Sequence, residues 1–151
     1  MATHYKGTKK EIRALNAYIK FIRAAESVEA RLGPLRAEDR LTDSQFGVME
    51  VLLHLGPLNQ CMLSKKLFKS SGNITMVIDN LEKRGLVKRV REGDDRRFVT
   101  VHLTDEGRKL IAEIFPKHVA AIVKEMGSLN EAEQEELGRL CRKIGCCGSQ
   151  V

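Results

Sequence analysis

LSKKLFKSSGNITMVIDNLEKRGLVKRVREGDDRRFVTVHLT, residues Leu63 to Thr104, is the stretch whose reading decides the fold. Ser70 stands where a helix N-cap belongs, and Ile74, Val77, Ile78 and Leu81 follow at the i, i+3, i+4, i+7 spacing of one buried helical face. Gly85 closes that helix in the manner of a C′ glycine. Its other face carries Gly72, Asn73, Thr75, Met76, Asp79, Asn80 and Lys83, mostly short polar groups, where a purely structural helix would show Lys and Glu to water. Upstream, a short helix from about Cys61 to Phe68 is predicted to turn Leu63, Leu67 and Phe68 inward and Lys65, Lys66 and Lys69 outward. Ser70-Ser71-Gly72 is a break of the length that joins the two helices of a helix-turn-helix. Downstream, Leu86 to Glu92 and Phe98 to Leu103 alternate as strands around Gly93-Asp94-Asp95. That hairpin is a wing, with Arg96 and Arg97 at its tip and Arg89 and Arg91 on its leading strand.

Charge follows the same stretch. The 151 residues carry a formal net charge of +6, and residues 61 to 103 hold ten Lys/Arg against five Asp/Glu. Most of the excess sits in under a third of the chain, which favours a polyanionic partner, although a merely soluble surface accounts for charge alone equally well. The length fits one domain, or one domain with appended helices. With 42% hydrophobic residues, 5% aromatic residues and no Trp, the core has to be built mainly from Leu, Ile and Val. No segment reaches the roughly 18 to 20 apolar residues of a membrane span, and the N-terminus lacks a signal-peptide core. A cytoplasmic location follows as the expectation, with Cys61, Cys141, Cys146 and Cys147 as free thiols. No internal repeat, low-complexity tract or domain-separating linker is present.

Working outward, Lys9 to about Leu32 reads as one long helix ended by Gly33-Pro34. Ile12, Leu15, Ile19 and Ile22 form one stripe; Ala14, Tyr18, Phe21, Ala25 and Val28 form a second beside it. A helix apolar over about half its circumference needs two partners, and a second subunit is the favoured one. Thr42 and Gln45 form a capping-box pattern for a helix that carries Phe46, Val48, Met49, Val51, Leu52, Leu53 and Leu55 and stops at Gly56-Pro57. His54, in that run, reads as an ordinary core or surface histidine, since no Cys, Asp or Glu stands at metal spacing. Thr104-Asp105-Glu106 caps a further helix to about Met126, which Pro116 is expected to kink or divide. Asn130 begins the last helix, with Leu137, Leu140, Cys141 and Ile144 on one stripe, and Gly145-Cys146-Cys147-Gly148 ends it.

The predicted fold is mainly α with a small antiparallel β-wing: a winged helix-turn-helix flanked by long N- and C-terminal dimerisation helices. Such a constellation suits double-stranded DNA. A helix fits the major groove, where short polar side chains reach base edges. Lysines and helix-start amides hold phosphates, and guanidinium groups on a hairpin tip suit the narrow minor groove. The competing use of the same fold is protein contact alone. An enzyme is not expected: no His stands at catalytic or metal spacing to a Cys, and the paired acids mark caps and turns rather than a cleft.

The run from Ser70-Ser71-Gly72-Asn73-Ile74-Thr75 through Leu81-Glu82-Lys83-Arg84-Gly85-Leu86-Val87, then Asp95-Arg96-Arg97 and Val101-His102-Leu103-Thr104-Asp105-Glu106-Gly107, resembles the MarR family of bacterial transcription regulators. The likeness covers about Lys9 to Ile144, and the D-x-R wing followed by L-T-x-x-G is its specific part. The resemblance implies a single domain spanning 1–151, with a DNA-binding winged helix at about 42–104 and dimerisation helices at about 9–32 and 104–146. It implies a homodimeric repressor of a pseudo-palindromic operator. Ser71, Gly72, Asn73, Thr75, Met76 and Asn80 would face the major groove; Lys65, Lys69, Arg89, Arg91, Arg96 and Arg97 would meet phosphates or the minor groove. Asp95 would hold a wing arginine by a salt bridge, and Ile12, Leu15, Ile19, Ile22, Leu137, Leu140 and Ile144 would join the subunits.

By the same resemblance, release would come from a small phenolic, a lipid-like acid or an oxidant, and a ligand pocket would lie between the first, second and fifth helices. The Gly-Asn-Ile-Thr opening and the 79–85 run are similar to the branch that answers catechols and quinones. The hydroperoxide-sensing branch has a reactive Cys near the start of the first helix, which this chain lacks. Cys141 reads as packing. Cys61, at a helix start near lysines, is a candidate for a lowered pKa, and adjacent Cys146 and Cys147 are poor partners for each other but open to an intersubunit bond. A metal-sensing repressor using Cys146, Cys147 and His4 or His118 is the nearer alternative; otherwise no metal and no cofactor are expected.

Overall fold

Caps and corners set the helices. The computed structural model describes residues 4–91 and 99–146, without the side chain of Cys146. The expected turn and wing-tip residues Asp95, Arg96 and Arg97, and Cys147, lie outside the described residues. Thr8 starts helix α1 (Lys9–Glu38): its hydroxyl accepts from the Glu11 amide at 3.3 Å while its own amide donates to the Glu11 carboxylate at 2.7 Å.

The helix runs six residues past its expected end at Leu32, through Gly33 and Pro34. Proline removes one backbone bond and crowds the carbonyl four residues earlier, a cost of about 3 kcal/mol in an interior turn. The continuation offsets it by seating Arg36, which is buried. Arg36 donates to Glu29 and to Asp43, both at 2.7 Å, and its guanidinium lies 6.0 Å from the Phe46 ring centroid. The chain turns instead at Asp39–Leu41, where Arg40 adopts φ 57.

Helix α2 (Asp43–Leu55) begins with the Thr42/Gln45 capping box and ends at Gly56, φ 76. A two-residue strand follows that the sequence did not disclose, β1 (Leu58–Asn59). It is too short for alternation to register. Asn59 then caps α3 (Gln60–Leu67), its side chain accepting from the Met62 amide at 2.8 Å.

Phe68 corrects a second expectation. Rather than packing inward it is 94% exposed, because it takes the left-handed conformation (φ 51) that reverses the chain between the two helices. A Cβ in that region costs about 1–2 kcal/mol, and this side chain recovers nothing by burial. Phe68→Gly should therefore stabilise the chain by roughly 0.5–1 kcal/mol, readable as a rise in urea midpoint. An unchanged or lower midpoint would contradict the exposed placement.

Helix α4 (Ser71–Lys83) carries Ser70 as N-cap, accepting from the Asn73 amide at 3.2 Å, and Gly85 at φ 69 beyond its end. Strands β2 (Val87–Arg91) and β3 (Val99–Leu103) pair antiparallel, Val87 opposite Leu103 and Arg89 opposite Val101. β1 adds to the far side of β3, so the sheet has the order β1-β3-β2. The core lies where α2, α3, α4 and the sheet meet the start of α5 (Asp105–Met126): Met49, Leu52, Leu63, Ile74, Ile78, Leu81, Val101 and Ile111 are fully enclosed. Each such side chain contributes about 1.5–3 kcal/mol of burial.

Thr104 opens α5. Its hydroxyl donates to the Gly85 carbonyl at 2.6 Å and accepts from the Gly107 amide at 3.0 Å, and its amide donates to the Leu86 carbonyl at 3.1 Å. Pro116 does not divide α5, which is one unbroken helix.

The chain clusters into two compact units, Met1–His118 and Val119–Val151. In the second, Asn130 and Glu133 exchange cap bonds at 3.0 and 2.9 Å to start α6 (Glu131–Cys146). Its stripe of Leu137, Leu140 and Ile144 stands exposed, with Cys141 half-buried. On α1, Ile12, Leu15, Ile19 and Ile22 are half-buried, and Tyr18 and Phe21 are exposed.

Candidate nucleic-acid interface

The face of α4 opposite Ile74, Val77, Ile78 and Leu81 brings Ser71, Gly72, Asn73, Thr75, Met76 and Asn80 together, all exposed. Lys65 and Lys69 are exposed beside it. Not every one of these groups is free to read a base. The Thr75 hydroxyl donates to the Ser71 carbonyl at 2.9 Å and accepts from the Gln60 amide nitrogen at 3.0 Å. Its methyl is what remains to present, which suits a thymine methyl better than a hydrogen-bonding edge.

Arg89 is placed differently from the wing cation the sequence suggested. Half-buried, it donates to Asp79 at 2.6 Å, to Glu82 at 2.6 Å and to Gln60 at 3.1 Å. Glu82 also accepts from the Arg89 amide at 2.9 Å. Burial lowers the tendency of this guanidinium to stay charged, but the bonds to Asp79 and Glu82 outweigh it and raise its pKa. The result is a polar clamp from β2 to the recognition helix and onward through Gln60 to Thr75. Sequence reading missed Gln60, Asp79 and Glu82 as a unit. The available signal was two acids three apart on one helix face, followed by an arginine in the next strand. Arg91, at the end of β2, is exposed.

A second site lies in the same unit, between α1, α2 and the middle of α5. A cavity of about 50 Å³ is walled by Leu35, Arg36, Glu38, Asp39, Phe46, Ile114, Lys117 and His118. His118 is buried, its ring 4.4 Å from that of Phe46, and its Nδ1 has no hydrogen-bond partner among the described residues. Burial first, and then the Arg36 guanidinium, holds it below the ordinary histidine value of 6.5, with Glu50 and Glu29 pulling weakly the other way. The folded chain therefore takes a proton on this ring at lower pH than the unfolded chain does. As pH falls through 6.5 the unfolded chain takes up a proton that the folded chain refuses, so stability is full above that value and is lost below it. Urea unfolding of the wild type should show a loss between pH 7.5 and 5.5 that His118→Gln lacks; parallel profiles for the two proteins would overturn this.

Among the described residues the remaining histidines and cysteines form no centre. His54 is exposed and packs edge-on against Phe115, 4.7 Å between ring centroids. Among the described residues no group of three or more His, Cys, Asp or Glu is gathered to hold a metal ion. Cys61 is exposed. No described helix is long and apolar enough to cross a membrane.

An exposed polar recognition helix clamped to a winged sheet defines a helix-turn-helix DNA reader, and relatives agree. Residues 32–114 match the family model described as transcriptional regulator SarA/Rot. YkoM of Bacillus subtilis (strain 168), an uncharacterized HTH-type transcriptional regulator, is 35% identical over 133 residues, 88% of this chain and 86% of its own length. The HTH-type transcriptional regulator MhqR of the same organism is 31% identical over 140 residues, covering 91% and 95%. Solved MarR family structures superpose over most of the chain. That of NadR in complex with 4-hydroxyphenylacetate does so at a TM-score of 0.76 and 26% identity, covering 95% of this chain and 97% of NadR. The chain belongs to the MarR family of winged-helix, DNA-binding transcriptional regulators.

Proposed function

We propose that the chain is a homodimeric repressor that reads a pseudo-palindromic operator with a pair of α4 helices and lets go when a small aromatic acid, phenol or quinone enters the cavity between α1, α2 and α5. The observation that carries the DNA half is the exposed, short-chained face of α4, flanked by Lys65 and Lys69 and held by the Arg89 clamp. In a dimer two such faces read half-sites about one DNA turn, roughly 34 Å, apart. Ser71, Asn73 and Asn80 offer hydrogen bonds to base edges, and Thr75 and Met76 offer apolar contact. From the family likeness, Arg97 enters the minor groove and Asp95 steadies the wing arginine. Arg91 and Arg96 add phosphate contacts.

Dimer formation is supported by apolar stripes that the chain does not enclose: Ile12, Leu15, Ile19 and Ile22 of α1 are only half-buried, and Leu137, Leu140 and Ile144 of α6 are exposed. The winged helix at about 42–104 then serves as reader, and the terminal helices serve as the joint. The effector half is supported by chemistry in the cavity. Arg36 and Lys117 suit an anionic group, the His118 Nδ1 is ready for a hydroxyl or carboxylate, and Phe46 supplies a ring to stack on. At about 50 Å³ the cavity as it stands has room for a few water-sized groups, not for an aromatic ring. An aromatic occupant has to push its walls apart.

Gel shifts on DNA upstream of the chain's own gene, with and without 4-hydroxyphenylacetate and simple quinones, test the whole reading. The expected outcome is a specific complex dissolved by at least one of them. No specific complex would overturn the DNA half, and a complex indifferent to all of them would overturn the effector class. Arg97→Ala should weaken binding on every sequence and flatten the salt slope by about one. Unchanged affinity at physiological salt would remove the wing from the interface.

A further inference from the structure

Arg84 lies outside both sites and is engaged with the corner between them. It is the C-cap residue of α4, the first position past the recognition helix. Its Nη1 donates to the Arg40 carbonyl at 2.7 Å and to the Gln45 side-chain oxygen at 3.3 Å, spanning 44 and 39 residues of sequence. The first acceptor belongs to the turn from α1 into α2 and the second to the first turn of α2. Gln45 is buried and is the same side chain that receives the Thr42 amide in the α2 capping box. Arg40 is held at φ 57, a conformation a non-glycine residue keeps only where its surroundings enforce it. Burial of Leu41 and the Arg84 bond are two such restraints.

The other end of that corner is the cavity wall. Asp39 lines the cavity directly, and Arg36 lines it while gripping Asp43 in the first turn of α2. One continuous set of bonds thus runs from Arg36 through Asp43 and the Thr42–Gln45 cap to Arg84 and the end of the DNA-reading helix.

We propose that Arg84 is a positioning residue that fixes the C-terminal end of α4 to the cavity wall, so that displacement of Arg36 is carried to the recognition helix through the 39–45 corner. This rests on the reading of α4 as the DNA-contacting helix and of the cavity as the effector site. It supplies the physical link between them: a strained corner with two sets of restraints, one from each site, is the kind of element whose equilibrium both can bias. No part of it requires Arg84 to touch DNA.

The test needs no identified effector. Asp43→Asn loosens Arg36 from an exposed position and leaves the core intact; Arg84→Met cuts the far end. Wild type, both single variants and the double variant are compared as full chains for affinity to a DNA site selected with the wild type. The expected result is that each single change weakens binding several-fold and the double falls at least threefold short of their product. Hydrogen exchange without DNA gives an independent reading: Asp43→Asn should speed exchange of the 81–86 amides in the wild-type background but not beside Arg84→Met. Arg84→Lys, which can still reach the Arg40 carbonyl, should restore part of both effects. Effects that multiply, or 81–86 amides indifferent to Asp43→Asn, overturn the link. Failure of the wild type to select any DNA site would instead overturn the DNA-binding reading.

Discussion

Gly107→Ala should lower the free energy of unfolding by about 3 kcal/mol or more, a severe loss for the addition of one methyl group. A Cβ at Gly107 would stand inside the contact distance of the Leu86 carbonyl oxygen and carbon, and both belong to backbone. Backbone cannot swing aside as a side chain would. Leu86 is also held from behind, since its amide donates to the Leu81 carbonyl and its own carbonyl accepts from Thr104. The change therefore has to part α5 from the junction of α4 and β2. Urea unfolding of the variant checks it; a loss below about 1 kcal/mol would mean that the helix can slide over Leu86 after all.

Arg89→Ala is expected to weaken operator binding by at least about tenfold, roughly 1.4 kcal/mol, while leaving the salt slope where it was. One side chain serves Asp79, Glu82 and Gln60. Without it the recognition helix loses its tether to the sheet, and two carboxylates remain on the DNA side with no cation between them. The stability lost is smaller than three bonds suggest, because Asp79 and Glu82 are each about half exposed and water takes over part of their solvation. A phosphate-contacting arginine would instead reduce the slope by about one ion. Lysine should rescue little, as an ammonium cannot reach three acceptors arranged around a planar fork. Affinity measured at four or five salt concentrations separates the two roles: a flatter slope would return Arg89 to the phosphate-contacting group.

Most of the reading unit was legible because its signals are local. Ser70, Thr42 and Gly85 are cap residues whose chemistry does not depend on the rest of the fold, and all three stand where that chemistry put them. The apolar face of α4 was legible because one side of a helix against one core leaves a single stripe. What escaped depends on contacts distant in sequence. Gly33-Pro34 reads as a stop, yet Arg36 finds partners seven residues away in both directions and the helix runs on to Glu38. Phe68 reads as core by its type, and only the αL turn points it to water. Arg89 reads as one more wing cation, and nothing in its spacing shows that Gln60, 29 residues earlier, completes its shell. The cavity was legible only as a place, because its walls come from three helices brought together by packing.

The L-T-x-x-G stretch acquires a physical reason from Thr104 and Gly107. Leu103 is core, the Thr104 hydroxyl ties Gly85 to the first turn of α5, and Gly107 leaves room for Leu86. The root of the hairpin is thus latched by its own bonds, whatever lies between Arg91 and Val99. Joining two fixed ends by a longer stretch of chain costs little, about 0.6 kcal/mol for each doubling of its length. Insertions between those two residues should leave helix, sheet and core untouched. The segment can then be lengthened at the bench without altering α4 or the sheet.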